Sequence, residues 1–267
     1  MTAMELILDQ LAGRIRAAAG SGTPLRIRGG GSKDFYGEAA QGELLETAPL
    51  AGVISYEPTE LVVTARAGTP LAELEALLAE HQQCLPFEPP HFGSRGEPSP
   101  APLGGEARGP GPHDSGPAAG SAATVGGMVA SGLSGPARAS AGSVRDYVLG
   151  LTMINGRGEI LTFGGQVMKN VAGYDVSRLV AGSLGTLGLI AEVSLKVLPV
   201  ASAEATLKFE LSQAEALRRL NAWGGQPLPL NASCWVDDAG VHTLYLRLRG
   251  AVAAVEAACK KLGGERM

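Results

Sequence analysis

Side chains able to do chemistry on their own are scarce in this chain. Charged residues make up 18% of the 267 and aromatic residues 4%, and cysteine and histidine occur only three and four times. Cys84, Cys234 and Cys259 lie far apart and form no Cys-x-x-Cys pair, which argues against a disulfide framework, an iron–sulfur cluster and a structural zinc site. His81, His91, His113 and His242 show no metal-ligand spacing, so no metal is expected. No basic run of five or more occurs and the formal net charge is −4, so nucleic acid is not an expected partner. There is no uninterrupted apolar stretch of about 18 residues, as a membrane-spanning helix requires. The first twenty residues carry Glu5, Asp9, Arg14 and Arg16 where a signal peptide has its apolar core. A cytoplasmic protein is expected, with membrane association only through a partner. The G-x-x-x-x-G-K-[ST] loop, the G-x-S-x-G elbow and a G-x-G-x-x-G between strand and helix are all missing. No Ser-His-Asp arrangement stands out, and the catalytic residues are unknown at this level.

Glycine is abundant. Its 38 copies are more than twice the usual share of about 7%, and they follow no three-residue period, which excludes collagen. They gather in five clusters, each where an apolar run ends: 29–33, 67–70, 124–127, 141–143 and 182–188. Glycine lets the backbone reach positive φ and lets a ligand press against the main chain. Several such loops after successive strands point to a large, flat, anionic ligand gripped by backbone N–H groups. A dinucleotide such as FAD fits that description.

The apolar periodicity predicts a helix over 4–19 with Leu6, Ile7, Leu11 and Ile15 on one face. Strands are expected at 24–28, 53–56 and 61–65. A helix is expected at 70–82, N-capped by Thr69, with Pro70 in first position and Leu71, Leu74, Leu77 and Leu78 inward. Residues 93–120 are dominated by Gly, Pro, Ser and Ala and read as a flexible surface insertion, placed at 94–120 in the domain division. A small-residue helix follows at 126–133. Strands at 148–154 and 159–163 form a hairpin through the Asn155-Gly156 turn signal. A helix is expected at 175–181 and a strand at 189–198. From about 204 the order is strand 207–211, helix 212–222, strands 230–236 and 241–248, and helix 251–262. This β-α-β-β-α order resembles a ferredoxin-like unit whose last strand is absent because the chain stops at Met267. The fold class is α+β, with domains at 1–200 and 201–267.

Three segments are candidates for binding. Consecutive N–H groups at Gly29, Gly30 and Gly31 form an anion-binding nest, to which Ser32 adds a hydroxyl and Lys33 a charge; a plain tight turn is the alternative. A Cβ at Gly30 is expected to intrude where phosphate sits. Thr124, Gly126 and Gly127 stand at a helix start, where free N–H groups favour phosphate or a flavin carbonyl; close helix packing is the alternative. The polar run 169–175 and the glycine run 182–188 can wrap a planar ring, or else merely cap a helix. His91 faces a pocket or the surface. Arg145 and Lys169 are candidates for anion contact or for ion pairs. Asn231-Ala232-Ser233 fits a glycosylation pattern that has no use in a cytosolic protein, and Asp237-Asp238 reads as a solvated turn.

Together Arg-Gly-Gly-Gly-Ser at 28–32, Ala-Gly-Thr at 67–69, Thr-Val-Gly-Gly-Met at 124–128, Gly-Ser-Val-Arg-Asp at 142–146, Lys-Asn-Val-Ala-Gly-Tyr-Asp at 169–175 and Gly-Ser-Leu-Gly-Thr-Leu-Gly at 182–188 resemble a known family. It is the PCMH-type FAD-binding domain of the vanillyl-alcohol oxidase superfamily. Pro-Phe-Glu-Pro-Pro-His-Phe-Gly at 86–93 and Met-Lys-Asn-Val-Ala-Gly-Tyr-Asp at 168–175 narrow the resemblance to the smaller, E-type FAD-binding subunits of bacterial glycolate oxidases. The resemblance implies two α/β subdomains around an extended FAD. Residues 29–33 would cradle the pyrophosphate, residues 124–132, including Ser131 and Gly132, would line the dinucleotide, and Gly185, Thr186, Gly188 and Ile190 would lie beside the isoalloxazine. The family's flavin-linking histidine has Ser32 and Lys33 in its region here, so FAD is expected to be noncovalent. The implied activity is oxidation of glycolate, or a related 2-hydroxy acid, to the 2-oxo acid, with electrons passed toward quinone. The implied partners are a larger FAD-binding subunit and an iron–sulfur subunit. A stand-alone FAD-dependent alcohol or sugar oxidoreductase and a noncatalytic assembly subunit are the alternatives. The insertion and the short C-terminal domain depart from the family pattern.

Overall fold

The computed structural model describes residues 2–38, 41–92, 122–165 and 173–267. The expected insertion at 94–120 and most of the 169–175 run, Lys169 included, lie outside the described residues. In chain order the elements begin with α1 (Ala3–Ser21), β1 (Leu25–Arg28), β2 (Glu43–Glu46), β3 (Val53–Glu57), β4 (Val62–Arg66), α2 (Leu71–Glu80) and β5 (Gln83–Cys84). There follow α3 (Val125–Ser131), α4 (Arg138–Ala141), α5 (Val144–Tyr147), β6 (Val148–Ile154), β7 (Ile160–Gly164), α6 (Val176–Val180), β8 (Leu189–Lys196) and β9 (Leu198–Pro199). The C-terminal stretch holds β10 (Ala203–Glu210), α7 (Gln213–Gly224), β11 (Leu230–Asp238), β12 (Val241–Gly250), α8 (Val252–Leu262) and β13 (Glu265–Arg266). The chain divides into two compact units. The first holds 1–85, 89–133 and 143–198, and the second Pro86–Glu88, Ser134–Gly142 and Pro199–Met267.

The first unit is built on an antiparallel sheet in the order β3-β4-β8-β6-β7, beside a parallel β1-β2 pair. Helix α1 opens with a capping box between Thr2 and Glu5 and ends at left-handed Gly22. Its inner face is Leu11, Ala12 and Ile15, packed with Leu45, Leu50, Ile154, Leu189 and Ala191, while Leu6 is left exposed. Strand β2 escapes the sequence reading because it offers only two leucines between two glutamates. Its Leu45 is nonetheless fully buried. Helix α2 buries Leu71, Leu74 and Leu78, as its spacing predicts. Its expected cap differs: Thr69 makes no helix-capping bond. Its hydroxyl instead accepts from the Gly52 N–H (3.0 Å) and donates to the Gly52 carbonyl (3.1 Å), and Pro70 takes the N-cap place. The β6–β7 hairpin forms in the expected place, joined through the expected Asn155-Gly156-Arg157-Gly158 connection, with the Gly158 N–H donating to the Asn155 carbonyl at 2.9 Å. The Asn155 carboxamide oxygen accepts from the N–H groups of Arg157 (2.9 Å) and Glu159 (3.0 Å), and Gly158 rather than Gly156 carries positive φ.

The second unit is a four-stranded antiparallel sheet in the order β11-β12-β10-β13. Its core gathers Leu207, Phe209, Trp223, Leu244, Leu246, Leu248 and Val255 from the sheet, α7 and α8. The fourth strand position, expected to be vacant, is taken by Glu265–Arg266 paired with Leu207 and Lys208. Ala239 and Gly240, both at positive φ, make the tight β11–β12 turn, so Asp237 and Asp238 end the strand rather than form the turn. Glu88 holds the short segments of this unit to the sheet. Its carboxylate accepts from Arg247 (2.6 Å) and from the Ala137 N–H (3.0 Å).

Candidate functional site

Strand β1 delivers the chain into the Gly29–Lys33 loop, which forms one wall of a cavity of about 460 Å³. The glycines are required there by the protein's own atoms. A Cβ on Gly29 would lie 2.5 Å from the Thr124 hydroxyl. One on Gly30 would collide with the Ala122 carbonyl, so main chain fills the position a Gly30 Cβ would take. Gly31 is left-handed at φ +74°, with the Arg28 guanidinium packed against it, and Arg28 Nε donates to Asp34 at 2.8 Å. Among the described residues, no acceptor meets the N–H groups of Gly29, Gly30, Gly31, Ser32 or Lys33. Amides without an acceptor among the described residues, on residues that line a cavity, are a donor set suited to an anion.

Lys33 reinforces it. Its Nζ is shut off from solvent and has no hydrogen-bond partner among the described residues. It lies 5.8 Å from the centroid of the Phe92 ring. Burial pushes its pKa below the ordinary lysine range. A buried ammonium without a counter-charge is costly, and an anion in the cavity removes that cost.

Across the cavity, Thr124 caps α3 by accepting from the Gly127 N–H at 3.3 Å. The expectation of free amides at this helix start is corrected. The N–H groups of Val125, Gly126 and Met128 donate to Thr69, Ala67 and Thr124 carbonyls at 2.9, 2.7 and 2.8 Å. Gly126 serves close packing, since its Cβ would stand 2.5 Å from the Ala67 Cβ. The Ser131 hydroxyl donates to the Met128 carbonyl at 3.0 Å, and Ser131 still lines the cavity. Gly132 does not line it. It ends α3 at φ +64°, with its Cα side against Gly182. The 182–188 run docks on the end of this helix, with the Gly182 and Leu184 N–H groups donating to the Val129 and Ala130 carbonyls, each at 2.9 Å.

A smaller cavity of about 80 Å³ adjoins the first and shares Ile27, Gly29, Gly127, Ala130 and Leu184 with it. The larger holds Gly29, Gly30, Gly31, Ser32, Lys33, Thr124, Gly127, Ser131 and Thr186 of the expected set, and the smaller adds Gly126, Gly185, Gly188 and Ile190. Sequence reasoning missed Arg26, Arg28, Asp34 and Glu38 on the larger wall and Thr47 and Ala67 on the smaller. The charged ones flank the first glycine cluster, and Ala67 opens the second, so position beside a cluster was the available signal. His91 lies outside the cavity and meets Glu75 at 2.8 Å. Arg145 is exposed on α5 and lines neither cavity.

The pattern of a family of FAD binding domains matches residues 8–96 and 111–164, more than half of the chain. The chain belongs to that FAD binding domain family. The break in the match, 97–110, falls inside the Gly/Pro-rich insertion. Glycolate oxidase subunit GlcE of Escherichia coli (strain K12) is 44% identical over 254 residues, 95% of this chain and 64% of the relative. This FAD binding domain protein therefore spans less than two thirds of that relative's length. Glycolate oxidase subunit GlcD of Bacillus subtilis (strain 168) is 40% identical over 84 residues, 32% of this chain and 18% of its own. A D-lactate dehydrogenase of Anaerostipes hadrus is 46% identical over 77 residues, 29% of this chain and 16% of its own. Among solved structures, an alkyldihydroxyacetonephosphate synthase superposes with a TM-score of 0.64 at 16% identity over 94% of this chain and 47% of its own, a likeness of fold. The family's cofactor is FAD, and the unpaired amides and lone ammonium suit its pyrophosphate. Among the described residues no helix is long and apolar enough to cross a membrane, and no group of His, Cys, Asp and Glu is placed to hold a metal.

Proposed function

We propose that the two adjoining cavities take one noncovalent FAD. Gly29, Gly30, Gly31, Ser32 and Lys33 meet the pyrophosphate. Thr124, Gly126, Gly127 and Ser131 flank the dinucleotide, and Gly185, Thr186, Gly188 and Ile190 border the isoalloxazine. The observation that carries this reading is a run of amides, and a buried ammonium beside them, that have no partner among the described residues and belong to one cavity wall. The described lining residues include no His or Cys that could attach a flavin covalently, and Tyr36 is their one phenol. Bound FAD supplies the two-electron chemistry, while the protein holds and orients it.

The protein is read as the smaller FAD-binding subunit of a glycolate oxidase-like 2-hydroxy acid dehydrogenase complex. That complex oxidises glycolate to glyoxylate and passes electrons toward quinone. The 44% identity to a glycolate oxidase subunit, running through 95% of the chain, supports this. Its partners are a larger FAD-binding subunit and an iron–sulfur subunit, in the cytoplasm, with membrane contact only through them. The principal substrate site is assigned to the larger subunit: the described cavity residues here include no histidine, and of their two carboxylates, Asp34 and Glu38, Asp34 is committed to Arg28. Residues 1–200 are assigned to the FAD-binding domain and 201–267 to a ferredoxin-like cap, whose strand order supports that name. Glycolate-dependent dye reduction tests the reading, with this chain alone and co-expressed with its partner subunits. Turnover is expected only from the flavin-loaded assembly. Turnover of another alcohol or a sugar by the chain alone contradicts the subunit role, and full activity with a flavin-free chain reduces it to an assembly module.

A further inference from the structure

Backbone amides recognise an anion without carrying net charge. Lys33 supplies one, and its setting makes that charge conditional. Its ammonium nitrogen is closed off from solvent, and among the described residues it has neither a hydrogen-bond partner nor an ion pair. Among the described residues, the other charged groups on the cavity come from β1 (Arg26 and Arg28) and from the turn after the loop (Asp34 and Glu38), with Tyr36 the remaining titratable group. Helix α3 and the Leu184–Thr186 segment contribute none. Asp34 is already paired with Arg28 at 2.8 Å. Among the described residues three cations thus face two carboxylates, Arg28 is the one paired with a carboxylate of the cavity, and the Lys33 nitrogen is shut off from water.

Resting on the reading of this cavity as the FAD site, we propose that Lys33 is the phosphate-reading residue of the chain: it selects FAD over phosphate-free flavins and ties capture of the cofactor to retention of its own proton. Burial already lowers the lysine's pKa in the free protein. The cofactor's phosphates favour the ammonium, so the bound form keeps the proton to higher pH. Affinity is therefore level below the free-form pKa. It falls as pH rises through the interval between the two values, by at most about tenfold per pH unit.

Fluorescence titrations of the flavin-stripped chain with FAD and with riboflavin, from about pH 7 to about pH 10, test this in the parent, Lys33→Met and Lys33→Arg. Methionine is expected to weaken FAD about tenfold or more, equivalent to about 1.4 kcal/mol. It should leave riboflavin within about twofold and flatten the alkaline fall. Arginine, which holds its proton throughout, should retain most of the FAD affinity and also lose the alkaline fall. The flavin-free methionine variant should melt above the flavin-free parent, because the uncompensated buried charge is gone, yet gain less from added FAD. Equal losses for FAD and riboflavin, or an unchanged FAD affinity in the methionine variant, overturn the proposal while leaving the FAD reading intact. A folded parent chain that binds neither flavin overturns both.

Discussion

Gly126→Ala probes how the cavity is framed. The new Cβ would stand 2.5 Å from the Ala67 Cβ and 3.0 Å from both its Cα and its carbonyl oxygen. Ala67 is 1% exposed, and its N–H is tied to the Ala191 carbonyl at 2.8 Å, so it has no room to retreat. Its carbonyl accepts the Gly126 N–H at 2.7 Å, a bond that must stretch if α3 moves away. Overpacking of this kind costs about 1–3 kcal/mol. At about 2–4 °C per kcal/mol for a protein of this size, the melting temperature should fall by about 2–12 °C. FAD affinity should fall with it, because Ala67, Gly126 and Gly127 share the wall of the smaller cavity. Ala67→Gly removes the Cβ–Cβ overlap but not the contacts to Cα and carbonyl. The double variant should therefore recover only part of the loss, with a coupling of about 0.5–2 kcal/mol. Thermal melts and FAD titrations of the four members of this cycle measure it. A Gly126→Ala protein that melts and binds FAD like the parent, or a cycle without coupling, would refute the reasoning.

Gly30→Ala should push the loop off the Ala122 carbonyl and lose FAD while far-ultraviolet circular dichroism is unchanged; normal flavin content in that variant sinks the prediction. Glu88→Ala strips the acceptor from Arg247 and from the Ala137 N–H, and should cost about 1–3 kcal/mol in equilibrium unfolding. A change below about 0.5 kcal/mol would count against Glu88 as the anchor of the second unit. Asp146 accepts from the Ser143 N–H at 2.8 Å, and that bond above all holds its carboxyl below the usual range. The stabilisation is then present above the unfolded carboxylate pKa and is lost as pH falls through the lower folded value. Asp146→Ala should accordingly melt below the parent at neutral pH, by about 1 kcal/mol, and converge with it in acid. A gap that persists undiminished in acid would show that the charge is not its source.

Long elements with one clear period were legible from the sequence. Helix α2 and strand β6 fall where Leu71, Leu74 and Leu78 and the 148–154 run place them. Short β1 and α6 also form where expected, but α4 and α5, single turns, and β2, a four-residue strand defined by its partner β1, were not legible. Thr69 misled because a threonine before a proline looks like a cap, while a nearby backbone, Gly52, offered its hydroxyl both a donor and an acceptor. In the site, glycine clustering located both cavity walls but not the reason for each glycine. Gly30, Gly126 and Gly132 are fixed by Ala122, Ala67 and Gly182, contacts between segments far apart in sequence. Satisfaction of the α3 amides by Thr69 and Ala67 carbonyls was invisible for the same reason. The solvent-shielded setting of Lys33 follows from the folded loop and from no local pattern.

The most direct measurement is the absorbance spectrum of the purified, folded chain, taken before and after acid precipitation. The account predicts a flavin spectrum whose chromophore leaves entirely with the supernatant as FAD, in about equimolar amount. A natively folded chain that stays colourless when saturated with FAD, both alone and in its assembly, would contradict it.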